Sequence, residues 1–393
     1  MPGTTGPADG EPRGGEQGER ARAALETLGP LLRPELADLK AYVPHDPPGI
    51  EVKLDANEAP PPRSAAIREA VGRAVASLPL ERYPDPRALR LKEAIGRRTG
   101  ARPRDLLVGT GSDEVISLLV NALARPRARN TQGVVLCCTP TFVMYRITAR
   151  AHGLKPVEVP LDAAWDLDAA MMGRAIAMMQ PNVVFVASPN NPTGNRVSDA
   201  RLEQVADAAR EALVVIDEAY VDYAGPGASR RELRATRPHV AVLRTLSKVG
   251  LAALRIGWIE ADEALLDEVD KVRQPFNVSA TSQAAAAAVL EEAWDDVQAE
   301  VATVVAARDR LAREIAALEG FSVTPSAANF LWVKTPAPAE EAFQHLVRDG
   351  ILVRSFHASG GRLGSQLRIT VGTDSQHERL LDSLRRLAVG KGT

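Results

Sequence analysis

Between residues 105 and 260 the apolar residues gather in short runs rich in Val, Ile and Leu, separated by stretches in which they recur at helical spacing. The runs cover residues 106–108, 134–137, 156–160, 183–187, 213–216, 240–243 and 256–259. A strand that alternates apolar and polar side chains buries one face, whereas an unbroken apolar run buries both. Strands of the second kind alternating with helices predict an α/β layered domain around a largely parallel sheet. After residue 260 the texture changes. Residues 261–273 and 282–318 read as long helices, the second rich in Ala, Glu and Arg with few breakers. Candidate strands follow at 330–333, 351–353 and 367–371, with a helix over 339–349 among them. The expected fold class is therefore α/β: an arm over 23–62, a large domain with a mostly parallel central sheet over 63–281, and a smaller α+β domain over 282–393.

Length supports more than one domain, since 393 residues exceed a single compact core of the usual size. Apolar residues make up 45% and charged residues 25%, and the formal net charge is -2. That balance supplies no basic footprint for nucleic acid or an anionic membrane. The longest apolar stretches, such as 284–290, fall short of the ~20 residues a span needs, so no membrane segment is expected. The opening MPGTTGPADGEPRGGEQGER holds almost nothing apolar, and residues 1–22 are expected to be a disordered tail. It lacks the apolar core of a secretory signal and is too acidic for a transit peptide, which leaves a cytoplasmic setting as the expectation. Cys137 and Cys138 are adjacent within an apolar run, a spacing that reads as two small buried hydrophobes on a strand.

Ligands of open α/β sheets settle at the carboxyl ends of strands, and four segments there carry candidate chemistry. Gly109-Thr110-Gly111-Ser112-Asp113-Glu114 follows the first strand and opens a helix. Its glycines and free amides suit an anion such as phosphate; the plainer reading is a turn with Ser112 as helix cap. Ser188-Pro189-Asn190-Asn191-Pro192-Thr193-Gly194 is a proline-stiffened loop that mounts an asparagine at a strand end. Asp217-Glu218-Ala219-Tyr220 closes another buried strand, where a carboxylate needs a positive partner, either a protonated ring nitrogen or an arginine. Thr245-Leu246-Ser247-Lys248, with Arg255 seven residues on, combines an amine nucleophile with the hydroxyls and guanidinium that a phosphate dianion requires.

Together with Leu254-Arg255-Ile256-Gly257, these segments resemble the signature of fold-type-I aminotransferases, over about residues 42 to 373. Within that superfamily the set is most similar to the histidinol-phosphate aminotransferase family. The further matches are Leu54-Asp55-Ala56-Asn57-Glu58, Arg82-Tyr83-Pro84, Asn329-Phe330 and Leu367-Arg368-Ile369-Thr370-Val371-Gly372-Thr373. The resemblance implies pyridoxal 5'-phosphate as cofactor and amino transfer between L-histidinol phosphate and 2-oxoglutarate in L-histidine biosynthesis. It implies that Lys248 joins the cofactor's aldehyde and moves the proton, that Asp217 keeps the ring nitrogen protonated, and that Asn191 and Tyr220 bond the phenolic oxygen. The cofactor phosphate would lie among Gly111, Ser112, Asp113, Thr245, Ser247 and Arg255, with Phe142 stacked on the ring where the family often has tyrosine. Arg368 and Arg354 would take the substrate's anionic group, with Tyr42 and Asn57 beside them. Tyr83 would reach the cofactor of a neighbouring subunit, which implies a homodimer with shared sites and an arm that contributes to the small domain and the dimer contact. The segment from Lys248 to Arg255 is one residue shorter than the family's, with Ala253 in place of a glycine. An aromatic aminotransferase or a threonine-phosphate decarboxylase would share most of these motifs. A regulator that has lost catalysis would carry a DNA-binding module, which the short polar segment before Tyr42 is not expected to hold.

Overall fold

The computed structural model describes residues 15–39, 41, 47–128, 130–336 and 338–389, in two units that divide between His45 and Asp46. The first unit holds helix α1 (Gly15–Leu28) and two 3-10 turns, Gly29–Leu31 and Pro34–Asp38. Residues 15–22, expected in the tail, instead begin a helix. Glu, Arg and Ala are good helix formers, and their local preference outweighs the shortage of apolar residues that governed the expectation. The rest of the expected tail and Tyr42 lie outside the described residues.

The second unit carries, in chain order, β1 (Val52–Leu54), α2 (Ala65–Ala76), α3 (Leu89–Thr99), β2 (Leu106–Thr110), α4 (Gly111–Ala122), β3 (Val134–Thr139), α5 (Met144–Ala151) and β4 (Lys155–Pro160). There follow α6 (Ala169–Met179), β5 (Val183–Ala187), α7 (Asp199–Ala208), β6 (Leu213–Asp217), β7 (Val240–Thr245), β8 (Ile256–Glu260), α8 (Glu263–Asp270), α9 (Ala280–Glu292) and α10 (Trp294–Ala316). The chain closes with β9 (Ser322–Thr324), β10 (Phe330–Lys334), α11 (Ala339–Arg348), β11 (Ile351–Ser355), β12 (Gln366–Thr370) and α12 (Asp374–Val389).

The seven apolar runs form one sheet in the order β2-β8-β7-β6-β5-β3-β4, parallel except for β8, which is antiparallel to both neighbours. Alternate side chains enter two separate cores. Leu213 and Val215 of β6 join Val135, Cys137 and Phe185 on one face, while Val214 and Ile216 join Leu136, Cys138 and Val184 on the other. The two cysteines are thus free, buried and on opposite faces. Register sets Ala187 opposite Asp217 and Asp217 opposite Leu243, so β5 and β6 end level with one another and β7 runs two residues further, to Thr245.

A second sheet, β1-β11-β12-β10-β9, is antiparallel except that β1 runs parallel to β11. The expected helix over 282–318 is two helices, broken at Ala293, whose φ of -133° lies outside the helical range. The apolar clusters also divide later than residue 282. α9 and the first half of α10, through Val304, pack with α2, α3 and β8, whereas Leu311 and Ile315 pack with the second sheet. The spacing of Val297, Val301, Val304, Leu311 and Ile315 keeps one stripe of α10 buried across both cores. Among the described residues no helix is long and apolar enough to cross a membrane.

Candidate active site

At the end of β2 the chain enters α4 through Gly111 at φ +79°, and the helix start has no side-chain cap. Ser112 is therefore not the cap that the plainer reading expected; its amide and that of Asp113 belong to the uncapped first turn. The Gly111 amide donates to the carbonyl of Arg255 at 2.8 Å, and a Cβ on Gly257 would lie 2.3 Å from the Ser112 nitrogen. β8 thus presses its backbone directly against the helix start. The Arg255 guanidinium lies 3.6 Å from Asp113 Oδ2 and donates to the Ser247 hydroxyl at 3.4 Å. Thr245 Oγ1 in turn donates to Ser247 Oγ at 2.9 Å, and the Ser247 amide donates back to it at 3.1 Å. The shorter Lys248–Arg255 segment closes through two 3-10 turns, Ser247–Val249 and Ala252–Leu254, with Arg255 at φ +51°. It delivers the arginine to the helix start despite the missing residue.

Lys248 sits in the first of these turns, half-buried, its Nζ 5.8 Å from the centre of the Tyr220 ring. The Tyr220 hydroxyl accepts from Asn57 Nδ2 at 2.9 Å, and Asn57 is buried against Thr370 of β12. Asp217, at the end of β6, is buried, and burial pushes its carboxyl up to about 6. Its Oδ2 accepts from the Tyr145 hydroxyl at 2.6 Å and its Oδ1 from the Ala219 amide at 3.0 Å. Tyr145 is the functional residue that the motifs missed. Its ring packs at right angles to Phe142, centroids 5.6 Å apart, so the turn after β3 supplies the expected stacking ring and the first turn of α5 the tyrosine behind it.

The loop Ser188 to Gly194 separates its two asparagines. Asn190 is fully buried on Thr141, Pro140 and Thr193, whereas Asn191 Oδ1 accepts from Arg368 Nη1 at 2.7 Å. Arg368 also donates to the Asp55 carbonyl and lies 5.6 Å over the Phe330 ring. Arg354 pairs with Arg368 across β11 and β12, which puts both on one face of the sheet. Arg354 is exposed and has no carboxylate partner among the described residues. Tyr83 is not gathered with these groups; it is 81% exposed and stacks on Phe276 at 4.6 Å.

These donors fit pyridoxal 5'-phosphate. An uncapped helix start with Ser247 and Arg255 suits a phosphate dianion, a buried carboxylate suits a protonated pyridine, and a lysine amine one residue after Ser247 lies beside the Tyr220 ring. Fold and site together define a pyridoxal-phosphate-dependent enzyme of the α/β transferase type. Residues 50–384 match the sequence family described as aminotransferase class I and II, and the chain belongs to that family. It is 40% identical over 356 residues to histidinol-phosphate aminotransferase 1 of Burkholderia lata, covering 90% of this chain and 97% of that one. It is 40% identical over 365 residues to histidinol-phosphate aminotransferase of Chromobacterium violaceum, covering 92% and 99%. The crystal structure of histidinol-phosphate aminotransferase from Sinorhizobium meliloti in complex with pyridoxal-5'-phosphate superposes with a TM-score of 0.79 at 26% identity, covering 91% and 98%.

Proposed function

We propose that this aminotransferase exchanges the amino group between L-histidinol phosphate and 2-oxoglutarate, as a cytoplasmic homodimer with shared active sites. The observation that carries the substrate reading is the arginine pair. Like charges directly opposite on a sheet repel, and Arg354 faces Arg368 across β11 and β12. A phosphate ester or a carboxylate bound across both would relieve that repulsion, and a planar fork of donors accepts either. The relatives named for histidinol phosphate support the same reading.

The cofactor, when bound, supplies an electron-withdrawing ring that receives the amino group from one substrate and passes it to the next. Arg368, steadied by Asn191, orients the substrate's anionic end. Lys248 Nζ holds and moves the proton at the substrate carbon that bears nitrogen. Asp217 keeps the proton on the ring nitrogen, and Tyr220, held by Asn57, supplies its hydroxyl beside Lys248. Ser247, Arg255 and the first-turn amides of α4 hold the cofactor phosphate.

The test adds L-histidinol phosphate to the purified holoenzyme and follows loss of the cofactor's visible band without an amino acceptor. Rapid conversion is expected. Arg354→Gln should lower kcat/KM for histidinol phosphate by about tenfold or more, the worth of one hydrogen bond to a charged group, and lower that for glutamate less. Rapid conversion with phenylalanine and none with histidinol phosphate would overturn the reading, as would carbon dioxide release from a phosphorylated amino acid.

A further inference from the structure

Asp217 is engaged on both oxygens by the protein alone. Tyr145, the donor to Oδ2, is fully buried on α5; its ring stacks on Phe185 at 4.5 Å and meets the edge of Phe142. A hydroxyl donating to an ionised carboxylate makes a bond roughly twice as strong as one between neutral groups, so it favours the ionised form. We propose that Tyr145 is the positioning residue that keeps Asp217 ionised and aimed at the cofactor's ring nitrogen, a role that rests on the assignment of Asp217 above. The other influences on Asp217 do not suffice. Burial opposes ionisation most strongly, Asp113 opposes it too, and Lys248 and the Ala219 amide favour it. With the Tyr145 bond in place, the strongest of the influences that favour the charge, the carboxyl stands at about 6, close enough to neutrality that losing this one donor changes its state.

Tyrosine suits the task because it does not titrate near neutrality. Burial and the adjacent carboxylate push the Tyr145 hydroxyl well above its ordinary range, so it remains a donor wherever the enzyme works. Its position in the fold also matters. α5 lies directly behind the turn that carries Phe142, so one rigid segment sets both the ring's stacking surface and its nitrogen partner.

The experiment measures pyridoxal phosphate affinity of the apoprotein, by fluorescence quenching, from about pH 5.5 to about pH 9 in wild type, Tyr145→Phe and Asp217→Asn. Phenylalanine preserves the stack on Phe185 and deletes one oxygen. The ratio of wild-type to Tyr145→Phe affinity should be about tenfold at the acid end, where a shift of about one pKa unit is fully felt, and approach one at the alkaline end. Both proteins share every other titration, so the ratio isolates Asp217. A ratio that is constant across pH, or equal to one throughout, overturns the role of Tyr145. Unchanged affinity and pH profile in Asp217→Asn would instead overturn the assignment of Asp217. A second measurement needs no cofactor: the thermal midpoints of the two apoproteins should diverge as pH rises. The lost bond matters only once Asp217 is charged, and the variant's higher pKa delays that charging; a pH-independent gap would overturn the inference.

Discussion

Lys248 has its backbone fixed and its side chain free. The Tyr223 hydroxyl donates to the Lys248 carbonyl at 2.6 Å, while Nζ has no hydrogen bond or ion pair among the described residues. Removing the side chain therefore takes away chemistry and little structure. Lys248→Ala should fold with a stability change within about 1 kcal/mol, as for substitutions outside a packed core. It should show no visible cofactor band, and borohydride reduction followed by peptide mass spectrometry should find no cofactor on residue 248. A wild-type adduct on another lysine would remove Lys248 from its role. Lys248, Asp217 and Arg255 were legible because each stands beside one end of an apolar run, and a charge at that place needs a reason. Tyr145 was not legible. It lies among Met144, Ile147 and Ala149 at helical spacing, which reads as core, and its partner is 72 residues away.

Elements bring such residues together into a site. The phosphate cup depends on β8 approaching the start of α4 without a side chain between them, and Gly257 is the position of closest contact. A Cβ there would meet the Ser112 nitrogen at 2.3 Å and the Gly111 carbonyl carbon at 2.5 Å, backbone atoms that cannot swing aside. Gly257→Ala should cost about 1–3 kcal/mol of stability by overpacking, measured by chemical denaturation. It should weaken pyridoxal 5'-phosphate binding more than pyridoxal binding, because only the phosphate uses the displaced amides. An equal loss for both ligands would show that the cup is not what moved. All seven strands of the large sheet were legible as apolar runs, and the six other than the edge strand β4 are buried along nearly their whole length. The break between α9 and α10 was not, because Ala293 is a helix former and neither Gly nor Pro marks the turn. β1 and β9 escaped for another reason: three residues are too few to display a period.

At the scale of the molecule, α10 joins two cores, and Arg308 midway along it donates to the carbonyls of Tyr223 and Ala328, each at 3.2 Å. The first carbonyl belongs to the cofactor-binding layer and the second precedes β10, so the two sheets are tied at the site's edge. The parallel pairing of β1 with β11 brings Asp55 and Asn57 to Arg368 and Tyr220 across some of the longest separations in the chain. No local pattern encodes a pairing of that range, which is why the arm's contribution rested on resemblance. Tyr83 is the residue still without a task inside one protomer. Leu80 and Tyr83 are each 81% exposed, and Phe276, stacked on Tyr83, is 39% exposed at φ +60°. Large apolar side chains left open together mark a surface that meets another. If Tyr83 serves a partner's cofactor, mixing Tyr83→Ala chains with Lys248→Ala chains should restore activity. Each mixed dimer then pairs an intact Lys248 with an intact Tyr83 in one of its two sites, which amounts to roughly a quarter of wild-type sites under random pairing of a symmetric dimer. If Tyr83 instead acts within its own protomer, every site in the mixture lacks one of the two residues. Recovery in reconstituted mixtures of the two variants, refolded together and assayed against each alone, therefore decides whether the site is built by one chain or two.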